Sequence, residues 1–113
     1  MRIREIKDLL GCEVLCGEEY LDNEVHSACC SDMMSDVLAY VKDQGVLLTG
    51  LVNPQVIRTV NMMDMTCVVF VRNKIPTDDV IELAKEYGIT VMRTSLRAYE
   101  ASGILYEKGL GRL

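Results

Sequence analysis

Between residues 45 and 109 one unit recurs three times: a short β-branched strand, a polar turn and a capped amphipathic helix. The strands are Val46-Leu47-Leu48-Thr49, Cys67-Val68-Val69-Phe70-Val71 and Ile89-Thr90-Val91-Met92. A strand that is apolar on both faces must be covered on both. That requirement dictates the α/β class, with a mostly parallel sheet flanked by helices. In such sheets ligands bind beyond the carboxyl ends of the strands. Those ends carry Thr49-Gly50, Arg72-Asn73 and Thr94-Ser95, which donate hydrogen bonds but hold no evident nucleophile–base pair.

The segments before and between the strands follow local rules. Ile3, Ile6, Leu9 and Leu10 have helical spacing, and Gly11 suits the position that ends a helix. Glu13-Val14-Leu15-Cys16 reads as a brief strand closed at Gly17, and residues 25–30 as a short buried strand. Ser31 is expected to cap the next helix, with Asp32 adding negative charge to its positive end. Met33, Met34, Val37, Leu38 and Val41 give that helix an apolar face as far as Lys42, and Gly45 breaks it. Asn53 and Pro54 mark the cap and first position of the second helix. The third is expected from Thr77 to Gly88 and the fourth from Ser95 to near Gly109, leaving Gly111-Arg112-Leu113 as a frayed tail.

At 113 residues the chain is expected to form one domain, residues 1–113, and half its residues are apolar. Twelve basic against seventeen acidic residues argue against a nucleic-acid partner, which needs a clustered basic face. No stretch approaches the roughly 20 apolar residues of a membrane span, and the first residues lead into no signal-peptide core. A cytoplasmic protein without membrane contact is the expectation. Five cysteines, an odd count, fit free thiols better than a disulfide framework.

Cysteine and histidine also supply soft-metal ligands, here Cys12, Cys16, His26, Cys29 and Cys30. Cys12 and Cys16 are spaced C-x₃-C, yet the adjacent Cys29 and Cys30 point to opposite faces of a strand. Buried thiols are therefore the expected state, with no metal, and a cysteine-based metal or redox protein is the weakest functional class. His26 is the single histidine, which leaves little scope for a Cys–His catalytic pair. No phosphate-loop motif occurs. Backbone N–H groups at the strand-to-helix turns can still hold an anion, and Gly50 permits close approach. Ser31, Asp32, Thr49, Gly50, Asn53, Arg72, Asn73, Thr94 and Ser95 are the candidate ligand-binding residues. Several of these are equally explained as helix caps. Leu51-Val52, read as exposed beside a strand end, is the candidate self-association surface.

Taken in order, the motifs resemble the DRTGG domain family over about residues 2–108. The segment from Glu13 to Val25 is similar to the opening of the amino-terminal domain of HPr kinase/phosphorylases, and Ser31 to Leu38 resembles small stand-alone DRTGG proteins. Leu47-Leu48-Thr49-Gly50 matches the strand and turn of DRTGG segments in phosphotransacetylases and CBS-domain pyrophosphatases. Ala84-Lys85-Glu86-Tyr87-Gly88-Ile89-Thr90-Val91, then Thr94 and Tyr99-Glu100, resembles the family's ending. The chain departs from the pattern at Leu51-Val52, where relatives commonly carry Asp-Arg, and at Arg72-Asn73-Lys74, where they often carry Thr-Gly-Gly.

The resemblance implies a non-catalytic regulatory or protein-interaction module, homodimeric and serving a partner enzyme; no cofactor is expected. It also implies a link to the hydrogenase and iron–sulfur metabolism of anaerobes. A nucleotide- or anion-sensing domain using the strand-end crevice is the alternative.

Overall fold

The computed structural model describes residues 1–40 and 45–111. Within them the elements are α1 (Ile3–Leu10), β1 (Glu13–Cys16), a 3-10 turn (Glu18–Tyr20), β2 (Ser27–Cys30), α2 (Met34–Tyr40), β3 (Gly45–Thr49), α3 (Pro54–Met62), β4 (Cys67–Phe70), α4 (Asp78–Tyr87), β5 (Thr90–Arg93) and α5 (Ala98–Glu107). The strands form one sheet in the order β1-β5-β4-β3-β2. β2 to β5 are parallel, and β1 is antiparallel to β5 at the edge.

Alternation along the strands divides the core in two. Val46, Leu48, Cys67, Val69 and Met92 face α1 and α5, where they meet Ile3, Ile6, Ala101 and Leu105. Leu47, Val68, Phe70 and Val91 face the other way, against Val37 of α2, Val56, Ile57 and Val60 of α3, and Val80 and Ala84 of α4. Successive strands advance in one direction across the sheet, and crossovers of constant hand put α2, α3 and α4 on one side. After β5 the chain returns to the side that α1 occupies.

Most local signals mark the elements where the sequence places them. Gly11 and Gly88 end α1 and α4 with left-handed backbone, and Asn53 caps α3 by accepting the Val56 N–H ahead of Pro54. Three readings need correction. Residues 25–30 are not a buried strand: β2 covers four residues at the sheet edge, with Ala28 and Cys30 exposed. The helix after it begins at Met34, and Ser31 instead accepts the Met33 N–H (3.0 Å) in the turn before it. The last helix begins at Ala98, because Thr94 takes the Leu96 N–H (3.2 Å) and Glu100 takes the Arg97 N–H (3.3 Å). Ser95 is left as an exposed turn residue. The expected helical positions Val41 and Lys42, and Arg112-Leu113 of the tail, lie outside the described residues.

Candidate functional site at the carboxyl edge of the sheet

Four parallel strands deliver their carboxyl ends to one edge, which brings Asp32, Thr49-Gly50, Arg72-Asn73 and Arg93-Thr94 together. Asp32 organises it. Its Oδ1 accepts the Thr49 hydroxyl (3.0 Å) and the Gly50 N–H (2.8 Å), and its Oδ2 faces the Arg72 guanidinium (3.4 Å). The side chains of Asp32 and Arg72 remain 53% and 45% exposed. Thr49 Oγ1 also accepts the Leu51 N–H (3.1 Å), so the one hydroxyl both closes its own turn and holds the carboxylate. The close approach expected at Gly50 is used by the protein itself. A Cβ there would lie 1.8 Å from Arg72 Nη2, so the missing side chain is what admits the guanidinium.

The Gly50 N–H, with smaller help from Thr49 and Arg72, holds the Asp32 carboxyl below its ordinary value against the opposing effect of burial. A carboxylate depressed in this way stabilises the fold fully above the ordinary pKa of about 4. That contribution is lost as the pH falls through the depressed value.

The loop after β4 is anchored separately. Arg72 and Asn73 both adopt left-handed backbone (φ 59° and 57°). Their N–H groups donate to Leu96 O and Thr94 O, each at 2.8 Å. The loops after β4 and β5 lead to helices on opposite sides of the sheet, the arrangement that opens a crevice in doubly wound folds. Here these backbone bonds zip the two loops together. Thr94 is buried behind them, its hydroxyl donating to Leu10 O (2.7 Å) and thereby tying α1 to β5. The structure thus gathers Asp32, Thr49, Gly50, Arg72 and Asn73 into one exposed cluster. Thr94 stands behind it as a tie, Asn53 is engaged in capping, and Ser31 is engaged in the Met33 turn.

Arg93, absent from the sequence-derived set, belongs to this edge. Its Nη2 donates to Asn73 Oδ1 (2.6 Å) and its Nε lies 3.8 Å from Glu13. Its position one residue beyond the apolar run Ile89-Thr90-Val91-Met92 was the available signal. Lys74 and Arg97 lie at the same edge and form no ion pair among the described residues. An acidic chain thus collects four cations here.

Leu51 and Val52 are not an exposed patch. Both are half-buried and pack onto the core beneath α2, α3 and α4, because the turn after β3 folds back over that layer. The cysteines do not converge either. Cys12 and Cys16 lie at the β1 edge and Cys29 and Cys30 at the β2 edge, with the other three strands between. Cys29 packs on the α2 side and Cys30 faces the α5 side, as strand alternation requires. Burial pushes the Cys12 thiol up to about 12, and it raises Cys16, Cys29 and Cys67 as well. Among the described residues no three His, Cys, Asp or Glu side chains gather as a metal site.

A second concavity runs between α5 and β2, a groove of about 890 Å³ floored by Ala28, Cys30 and Leu48 and walled by Leu96, Tyr99 and Tyr106. Two helices do not span five strands, so this end of the face stays open. Tyr99 is 89% exposed and Tyr106 63%.

No curated protein matches the chain at a significant level. Among solved structures it is similar to the CBS and DRTGG domains of the regulatory region of Clostridium perfringens pyrophosphatase, complexed with the activator diadenosine tetraphosphate. The TM-score is 0.76 at 18% identity, over 98% of this chain and 48% of that one, so the chain spans about half of the region it matches. That likeness establishes the fold. No helix among the described residues is long and apolar enough to cross a membrane. The DRTGG domain profile matches residues 5–107, nearly the whole length, and the chain belongs to the DRTGG domain family.

Proposed function

We propose that this chain is a non-catalytic regulatory module that senses a phosphate-bearing anion, such as a nucleotide, at the carboxyl edge of its sheet. The carrying observation is the Asp32 carboxylate, held by a hydroxyl, a backbone N–H and a guanidinium. That donor set suits a phosphate oxygen equally well. The phosphate-rich activator in the similar pyrophosphatase region supports the choice of ligand class. Diadenosine tetraphosphate, ATP and inorganic phosphate, each added to the full chain in a thermal-shift assay, form the test. A bound ligand at a hundred times its dissociation constant adds about 2.7 kcal/mol. For a domain of this size that raises the melting temperature by roughly 10 °C or more. No shift with any of the three sinks the reading.

The α5–β2 groove favours a second reading, association with another copy or with a partner enzyme. β2 is an edge strand without charge, proline or bulge, the devices that usually block edge pairing, whereas β1 carries Glu13 and a register shift. Sedimentation equilibrium at tens of micromolar is expected to show a dimer, and a strict monomer there removes this reading. The cytoplasm fits the module, since its five cysteines are free thiols, the state a reducing compartment maintains.

A further inference from the structure

The donors at the carboxyl edge are already engaged, and the group that engages them is an anion of the protein. We propose that Asp32 is a built-in competitor: its carboxylate occupies the position that a ligand's phosphate takes, and binding proceeds by its displacement. The inference rests on the anion-sensing reading and adds to it how the site is regulated.

Three features distinguish a displaceable occupant from a structural bridge. The donors keep their places without Asp32. Gly50 follows a strand paired on both sides, and the Val71 N–H bonds Thr49 O (3.0 Å). The Arg72 loop is held by the Leu96 and Thr94 carbonyls instead of by the carboxylate. Asp32 is also one of the exposed members of the cluster. It lies between Ser31, whose N–H is fixed to Leu48 O (3.1 Å), and the start of α2, and its side chain faces solvent. Its contact with Arg72 is long at 3.4 Å and half-exposed, a class of ion pair that contributes little. Finally, the cations exceed what Asp32 needs, since Lys74 and Arg97 have no ion-pair partner among the described residues. Arg72 is the charge that acts on Asp32, so a polyphosphate longer than a carboxylate is the ligand class that extends from its place toward the unused cations. Such a site stays closed to weak monoanions and opens to multiply charged phosphates.

Calorimetric titration of the full chain with ATP at 0.15 M salt tests this, where the Debye length of about 8 Å screens remote charge. Asp32→Ala is expected to bind at least tenfold tighter than wild type. By the rule that apparent affinity falls with the competent fraction, that gain corresponds to a site open about one-tenth of the time. Asp32→Asn keeps a neutral acceptor for Gly50 and Thr49 at the same size, so it should fall between the two and serve if the alanine variant folds poorly. Asp36→Ala, removing an exposed acid from α2, is the control for general charge removal and is expected to change binding less than threefold. Wild type that binds ATP while Asp32→Ala binds equally or more weakly, or gains no more than Asp36→Ala, overturns the competitor role and leaves the anion site standing. No binding by any of the four proteins overturns both.

Discussion

Arg72→Glu is expected to weaken ATP or diadenosine tetraphosphate binding at least a hundredfold, about 2.7 kcal/mol, while shifting the melting temperature by only a few degrees. The separation follows from how the residue is held. Its backbone, at φ 59°, is fixed by the Leu96 carbonyl, and that of Asn73 by Thr94, bonds that any side chain leaves intact. Its guanidinium is 45% exposed, so little folding energy resides there. The charge change, by contrast, falls on the site itself. A glutamate removes the donor beside Gly50, sets a second carboxylate against Asp32 and repels the incoming phosphate. Isothermal titration together with a thermal melt reads both quantities. Binding within threefold of wild type would place the ligand elsewhere on the molecule.

This edge was only half legible in the sequence, for a physical reason. Signals carried by neighbouring residues gave reliable elements. Asn53-Pro54 starts α3, Gly88 ends α4, and the apolar spacing of residues 3–10 gives α1 with the observed bounds. The rule that ligands bind at strand carboxyl ends likewise singled out Thr49, Gly50, Arg72 and Asn73. The bond that joins them is not local. Asp32 finds Gly50 18 residues away and Arg72 40 away, because β2, β3 and β4 are adjacent in the sheet. The sequence places Asp32 in the candidate set, but an aspartate ahead of a helix also suits the helix dipole, and no local signal directs its carboxylate to Gly50 and Arg72. Ser31 and Ser95 misled for the matching reason. Each is a good N-cap residue close before a helix, but the turns containing Thr94 and Met33 intervene. Leu51-Val52 shows the same limit for apolar pairs. Whether such a pair faces solvent or the core depends on which way the turn folds, and only packing decides that.

Gly17→Ala is expected to cost about 3 kcal/mol of stability, lowering the melting temperature by roughly 12 °C or more. Two penalties add. The backbone sits at φ 81°, where an L side chain costs about 1–2 kcal/mol. An added Cβ would also lie 2.6 Å from Thr90 Cα and 2.7 Å from Thr90 Oγ1, so main chain must move, and such overpacking costs about 1–3 kcal/mol. Gly11→Ala isolates the first penalty, since Gly11 has a similar φ of 62° with nothing within 4 Å of a built Cβ. It should cost about 1–2 kcal/mol. Urea denaturation of both variants gives the comparison, and equal losses would show that the contact with Thr90 relaxes freely. The contact matters because β1 is an antiparallel edge strand with its Cys16 end set against Val91. Relief requires that end to lift from β5, breaking the Thr90 hydroxyl bond to Gly17 O (3.0 Å) and loosening Glu13 opposite Arg93. Arg93 donates to the Asn73 side chain at the carboxyl edge. A methyl group at the far end of β5 is therefore expected to weaken anion binding as well as the fold, and titrating the variant below its melting temperature would detect that coupling.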